Sequence, residues 1–197
     1  MTPRSLGSVS SGPFAHRRYS IRCPWFSFLG RKLYVHGPDG EVLLFVRHKL
    51  LTFRDEWAVF TDETERVPLL RVKARKALAL DSVSDVTDAR TGASLGAVRV
   101  RGLKSMVRDT FELLGPGDAP VGIFVEDSNA LLRRFFPLML GHWHMEFRGR
   151  TAARLDQVWR WFAREFTLEL DAGEAEVPFV LACALLALSR EMMRESS

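Results

Sequence analysis

Apolar and polar side chains alternate over much of this chain. The clearest case is the segment 70–75, LRVKAR, in which apolar and basic residues take turns. A two-residue period is typical of a strand that buries one face and exposes the other. The pattern therefore predicts β-strands rather than amphipathic helices over most of the chain.

Pairs of alternating segments recur about every 25 residues, and each pair is joined by a turn rich in Asp, Gly or Pro, which predicts β-hairpins. Four such units lie at residues 32–49, 57–76, 84–101 and 106–126. Further strands are predicted near 19–23 and at 143–148, 151–158 and 160–170, with a tight turn at Gly149 and Arg150. The total is about twelve strands. The segment 127–140 is typical of a short helix that ends at Pro137.

The last segment, residues 176–194, reads EVPFVLACALLALSREMMR and is apolar on every side from Phe179 to Leu188. A helix of this kind must be buried. The apolar run covers roughly a dozen residues, whereas about 20 are needed to cross a bilayer. Many antiparallel strands and one apolar helix together predict a mainly β fold: a closed antiparallel barrel of about twelve strands around a central hydrophobic C-terminal helix.

The chain has 197 residues, which is enough for one domain with a sizeable core. Residues 1–17 are rich in Ser, Gly and Pro and lack the apolar segment of a secretory signal. We expect a disordered tail at 1–17 and the barrel domain at 18–197. The two cysteines, Cys23 and Cys183, provide no disulfide framework, which favours a cytoplasmic location.

Positive charge is concentrated in the first part of the chain, although the formal net charge is only +4. Up to Thr110 there are about 19 basic and 11 acidic residues, and after it about 9 and 13. Many of the basic residues end the second strand of three successive hairpins, where neighbouring hairpins would form a basic rim able to bind phosphate groups. The candidate headgroup-binding residues are Arg47, Lys49, Arg71, Lys73, Arg75, Lys76, Arg99, Arg101 and Lys104. The alternative is that these side chains only solvate the outer face of the barrel.

Two motifs invite a catalytic or metal-binding interpretation. Residues 92–96, GASLG, match the nucleophile elbow G-x-S-x-G, but that motif requires a helix after the serine, and the pattern here predicts a strand. The glycines are therefore predicted hairpin positions. His142 and His144 would point the same way from one strand, yet no third ligand is evident nearby, so we predict surface or rim histidines.

The aromatic cluster near the end of the strand region is assigned to packing. Because they lie in an alternating segment, Trp159, Trp161, Phe162 and Phe166 are predicted to be core and cross-strand residues rather than a base-stacking platform. The sequence contains no glycine-rich phosphate loop, paired C-x-x-C or H-E-x-x-H motif. No catalytic residue, cofactor or metal site is predicted.

Four stretches carry a family resemblance: 34–40 (YVHGPDG), 86–99 (VTDARTGASLGAVR), 105–109 (SMVRD) and 121–126 (VGIFVE). Together with the apolar C-terminal helix they make the chain, from about Tyr19 to Glu195, resemble the tubby C-terminal-like superfamily. The resemblance is closest to the branch that holds the LURP-one-related proteins and the phospholipid scramblases.

This resemblance implies a twelve-stranded barrel around a central helix and a non-enzymatic role. Tubby domains bind phosphoinositide headgroups, and scramblases are associated with bidirectional lipid movement. The chain departs from the scramblase pattern because residues 171–175, DAGEA, lack the alternating oxygen ligands of a calcium loop.

We therefore expect a non-catalytic, cytoplasmic domain that binds anionic phospholipid or phosphoinositide, peripherally at the inner membrane face. The alternatives are a protein-interaction scaffold domain with a protein partner and a scramblase-type lipid-handling protein. Nucleic acid is suggested only by the net charge and is not an expected partner. We expect a monomer without a cofactor.

Overall fold

The computed structural model describes residues 12–24, 31–48, 56–75, 81–101, 110–127, 140–161, 163–171, 173 and 175–194. Twelve strands, one 3₁₀ turn and one α-helix lie within these ranges. The strands are β1 (Arg18–Pro24), β2 (Arg31–His36), β3 (Val42–His48), β4 (Glu56–Phe60), β5 (Pro68–Ala74), β6 (Asp81–Asp88), β7 (Ser94–Arg101), β8 (Thr110–Leu114), β9 (Pro120–Glu126), β10 (His142–Phe147), β11 (Arg150–Val158) and β12 (Ala163–Leu170). The 3₁₀ turn is Pro116–Asp118, and the helix is α1 (Val177–Arg194).

The twelve strands form one closed antiparallel barrel. Each strand pairs with its neighbours in the sequence, and β1 pairs with both β2 and β12. The closing pair runs from Arg18 opposite Glu169 to Pro24 opposite Ala163. Since β1 is paired on both sides, no described strand is left as an edge. The predicted closed barrel is confirmed.

The two-residue period decides which side chains face the interior. In β5, Leu70 and Val72 are completely buried, whereas Arg71 and Lys73 between or beside them are exposed. A register slip of one residue would exchange the two faces, so the apolar pattern also fixes the pairing. The alternation predicted for this strand is confirmed.

Helix α1 fills the interior of the barrel. Its residues from Phe179 to Leu188 are at most 6% exposed, and they form one apolar cluster with inward-facing residues of all twelve strands. A helix surrounded by sheet has no solvent-facing side, which explains why its sequence has no polar face there. The predicted central helix is confirmed. Within the described part of the chain, no helix combines the length and the hydropathy needed to span a membrane.

The two ends of helix α1 distinguish the two rims of the barrel. Helix α1 begins at the lower rim, where Phe179 lies against Gly96 near the start of β7. It ends at the upper rim, where Nη1 of Arg190 donates a hydrogen bond of 3.0 Å to Oγ of Ser82, near the start of β6. The odd-numbered strands therefore end, and the even-numbered strands begin, at the upper rim.

Residues 12–17, which fall in the expected tail, form a turn against the lower rim. The hydroxyl of Tyr19 donates to the carbonyl of Pro13 and accepts from the backbone N–H of His16, both at 3.2 Å. Phe14 packs against the barrel core. The chain is therefore tied to the barrel before β1 begins, and the rest of the expected tail, residues 1–11, lies outside the described residues.

Two local predictions are corrected. The tight turn between β10 and β11 is formed by Arg148 and Gly149, with φ of 52° and 78°, and not by Gly149 and Arg150. Positive φ at both central residues is the geometry of a two-residue hairpin turn. Strand β12 begins at Ala163 rather than at residue 160. The helix predicted at 127–140 lies, from 128 to 139, outside the described residues.

Candidate functional site

The predicted headgroup site consists of basic residues at strand ends, and the topology places those that the structure describes on three alternate strands. Strands β3, β5 and β7 are separated by one strand each, or about 10 Å, and all three end at the upper rim. Arg47, Arg71, Lys73, Arg75 and Arg99 belong to these strands or follow them directly. Lys49, Lys76 and Lys104, and the side chain of Arg101, lie outside the described residues.

Three of these arginines are engaged by carboxylates. Nε of Arg47 lies 2.8 Å from Oε1 of Glu65, and Nη1 of Arg99 lies 2.9 Å from Oε2 of Glu112. Both arginine side chains are only about one-third exposed, at 30% and 28%. A guanidinium that is already paired offers fewer donors and less net charge to an incoming phosphate.

Arg75 is held by two carboxylates at once. Its nitrogens approach Asp85 of β6 and Asp118 of the β8–β9 turn, each to 2.6 Å. These hydrogen bonds raise the pKa of Arg75 further and lower the pKa of Asp118. The side chain thus ties the β8–β9 turn to β5 and β6, which is a structural role.

Arg71 and Lys73 are exposed, as Arg75 is, but their surroundings differ. Within the described residues, neither makes an ion pair. The Cα atom of Lys73 is paired across the sheet with Glu56 on one side and Asp85 on the other, so acidic residues flank it. The structure therefore places the described basic residues on three alternate strands. Arg47 and Arg75 reach carboxylates of the β4–β5 and β8–β9 turns, which belong to the lower rim, so these residues do not form a continuous upper rim of free positive charge.

Trp159 and Trp161 are exposed, which corrects their assignment to the core. They lie between β11 and β12, at the upper rim, with 48% and 80% of their surface exposed. Their rings contact each other edge to face, with centroids 5.9 Å apart. The assignment holds for Phe166, which is 2% exposed and packs against Trp143, while Phe162 lies outside the described residues.

Physically, the error comes from extending the alternation through a reversal of the chain. Antiparallel neighbours β11 and β12 must be joined by a turn, and the sequence offers no Gly, Asn or Pro there. The residues available for the turn are bulky aromatic and basic ones. An aromatic turn between two strands is the signal that could have revealed the exposed pair.

Next to this pair lies a cluster that the sequence did not reveal: two arginines that share one carboxylate. Nε of Arg22, in β1, donates to Oε2 of Glu165 at 3.2 Å, and Nε of Arg160 donates to the same oxygen at 3.1 Å. Ser20 donates to Oε1 at 3.1 Å. The Glu165 side chain is 11% exposed, whereas those of Arg22 and Arg160 are 45% and 56% exposed.

Glu165 stays ionised in this cluster although it is nearly buried. Burial raises the pKa of its carboxyl, but hydrogen bonds from Arg160 and Ser20, together with the charges of Arg22 and Arg160, lower the pKa overall. With two guanidinium groups and one carboxylate, the cluster carries one net positive charge. We call Arg22, Arg160 and Glu165 the arginine pair cluster.

The two histidines are paired with carboxylates on the outer face of β10. Nδ1 of His142 lies 2.7 Å from Asp156, and Nδ1 of His144 lies 2.6 Å from Asp127. Among the described residues, no group of three or more His, Cys, Asp or Glu side chains is arranged to hold a metal ion. The predicted surface position of both rings agrees with the geometry.

The G-x-S-x-G motif leads from a turn directly into a strand. Gly92 adopts a φ of 73° in the β6–β7 turn, and β7 begins at Ser94. Gly96 lies within β7, where a register shift leaves Leu95 as an extra residue opposite β6. The motif therefore lacks the strand-to-helix context of a nucleophile elbow, as predicted.

Comparisons with protein-family models, with curated proteins and with solved structures found no match for this chain.

Proposed function

We propose that this protein is a non-catalytic β-barrel that binds the surface of an anionic membrane through the upper rim. The observation that carries the proposal is the exposed pair Trp159 and Trp161, of which the second is 80% exposed. Tryptophan rings of this kind favour the boundary between water and lipid, where the apolar ring is buried and the indole N–H remains hydrated.

Burial of the exposed tryptophan surface would contribute substantially to the free energy of membrane binding. An aromatic side chain buries about 150–250 Å² in all, and each Å² removed from water contributes about 25 cal/mol. The exposed part of Trp161 would therefore contribute on the order of 3–5 kcal/mol if it were completely buried. A binding free energy of this size can hold the turn at a membrane surface, although it cannot insert the barrel.

Electrostatic attraction adds to this contribution. The arginine pair cluster adjoins the tryptophans in the chain and has one net positive charge. Each cationic side chain near an anionic membrane surface contributes about 1 kcal/mol. The rim predicted from the sequence contributes less, because Arg47, Arg75 and Arg99 face carboxylates.

Membership of the tubby-like superfamily is part of the proposal. Its support is the architecture, a twelve-stranded antiparallel barrel closed around an apolar C-terminal helix, which is what the resemblance implies. We also propose a cytoplasmic location at the inner membrane face, which two buried cysteines that form no disulfide support.

Vesicle flotation tests the proposal. Wild-type protein should float with vesicles of phosphatidylcholine containing phosphatidylserine and should float less with phosphatidylcholine alone. Replacing both Trp159 and Trp161 by Ala should weaken binding to the anionic vesicles at least tenfold. Val67→Ala is the matched control, because Val67 is 52% exposed but lies in the β4–β5 turn at the lower rim. Undiminished binding of the tryptophan variant would refute the proposal.

A protein partner is the second candidate, since exposed Trp and Arg side chains are also the residues that dominate protein interfaces. The same two variants separate the possibilities. A partner retained after detergent removes all lipid, and lost with the double tryptophan variant, would favour the scaffold function over membrane binding.

A further inference from the structure

The arginine pair cluster has a geometry that goes beyond general attraction to negative charge. Both guanidinium groups use Nε to bind the same oxygen of Glu165, at 3.1 and 3.2 Å. Among the described residues, no hydrogen bond engages the terminal nitrogens of Arg22 or Arg160. The carboxylate therefore fixes the position of each guanidinium and leaves the paired N–H groups at its other edge for a ligand.

The charge balance makes an anion the matching ligand. Two guanidinium groups and one carboxylate leave one positive charge. The nearly buried Glu165 accepts three hydrogen bonds, which hold its carboxylate in place between the two arginines. Thus the cluster differs from Arg47 or Arg99, where one carboxylate neutralises one guanidinium.

We propose that Arg22 and Arg160 form a binding site for a phosphomonoester group, such as the headgroup phosphate of phosphatidic acid or a free phosphate. A phosphomonoester has three unsubstituted oxygens and a charge between −1.5 and −2 near neutral pH, so it accepts hydrogen bonds from both guanidinium edges together. A phosphodiester has only two such oxygens and one charge. For a lipid ligand the inference rests on the proposed membrane function, and it names the headgroup chemistry that the upper rim selects.

The tryptophans give the site its orientation. Trp159 and Trp161 flank Arg160 directly in the chain and are both exposed. A phosphate that lies directly beneath the acyl chains, as in phosphatidic acid, would bring those chains close to the two indole rings. A bulky headgroup between phosphate and solvent would instead crowd the turn.

Binding to two vesicle types at matched surface charge tests the inference. Phosphatidylcholine vesicles that contain phosphatidic acid should bind wild-type protein about tenfold more tightly than vesicles that contain phosphatidylserine, which is the effect of one charge-assisted hydrogen bond. The double variant Arg22→Lys with Arg160→Lys keeps the charge but loses the fork geometry. It should bind both vesicle types equally. Arg71→Lys, on the far side of the barrel, is the matched control and should keep the preference.

Titration of the ¹⁵N-labelled wild-type protein with inorganic phosphate gives a second readout that requires no membrane. The indole N–H signals of Trp159 and Trp161 should shift, whereas that of the buried Trp143 should not. Shifts without any vesicle binding would refute the membrane function but uphold the phosphate site. Vesicle binding with neither a preference for phosphatidic acid nor a phosphate-induced shift would overturn the phosphate site alone. A preference that survives in the lysine variant would also overturn it.

Discussion

Gly96 offers a direct test of where the helix lies inside the barrel. It is a strand residue with a φ of 140°, and a Cβ atom at this position would lie 2.8 Å from Cε2 of Phe179 and 2.7 Å from the carbonyl oxygen of Leu114. The substitution Gly96→Ala therefore combines an unfavourable backbone conformation with a steric clash against α1. Each effect has its own expected size.

The matched control is Gly92→Ala. Gly92 also has a positive φ, 73°, but nothing lies within 4 Å of its Cβ position, so only the conformational cost applies. That cost is about 1–2 kcal/mol. At Gly96 the conformational cost is about 1–3 kcal/mol, and crowding of a packed core adds about 1–3 kcal/mol. We expect a loss of about 2–6 kcal/mol in the free energy of unfolding.

Urea unfolding followed by circular dichroism measures these losses. Combining Gly96→Ala with Phe179→Leu should recover part of the crowding cost, because the leucine lacks the outer ring atoms that the new methyl group meets. Coupling of about 1 kcal/mol or more is typical of residues in direct contact. Equal losses for Gly92→Ala and Gly96→Ala, together with zero coupling to Phe179→Leu, would refute this position of the helix.

Three further changes test other parts of the fold. Ala184→Asp places a charge at a completely buried position of α1. The cost in free energy is comparable to the whole stability of a domain, so this variant should not fold. A cooperative unfolding transition of the variant would contradict the buried position of the helix. Arg75→Ala removes the link between Asp85 and Asp118, and the thermal midpoint should fall by a few degrees at low salt and by less at high salt. The folded state lowers the pKa of Glu165 from its ordinary value of 4.5, so its ionised form stabilises the fold above that pH, and the contribution is lost as the pH falls below it. Urea titrations between about pH 3 and pH 6 should show a smaller pH dependence for Glu165→Gln, and an unchanged dependence would exclude this role.

The barrel could be predicted because its cause is local and repeated. The two-residue period belongs to each strand, and the turn inside each of the four predicted hairpins carries Asp, Gly or Pro, so these hairpins are visible without knowledge of the rest of the chain. The turn between β11 and β12 lacks these residues, and there the prediction failed. The helix 177–194 could be predicted because it has no two-residue period and no polar face over its apolar run. In a chain rich in strands, a helix of this kind has to lie in the core. Closure then follows from the cost of exposed edges.

The site could not be predicted in the same way, because it depends on registers between distant strands. Arg22 and Glu165 are 143 residues apart and meet only through the pairing of β1 with β12. The same limit applies to the basic rim. Glu112 neutralises Arg99 because of the register between β7 and β8, and the sequence alone does not reveal that register.

The pairing of β1 with β12 also has a consequence for how the chain folds. Strand β1 pairs with a strand about 150 residues later in the chain, since Arg18 is opposite Glu169. Pairing over such a long sequence separation slows folding. Helix α1 follows β12, so the segment that fills the barrel is synthesised after all twelve strands, and a helix that contacts all of them is enclosed only when the sheet closes around it. Closure and helix docking must therefore occur together. Until then both edge strands and the apolar interior face are exposed, and surfaces of this kind favour aggregation of the incompletely folded chain.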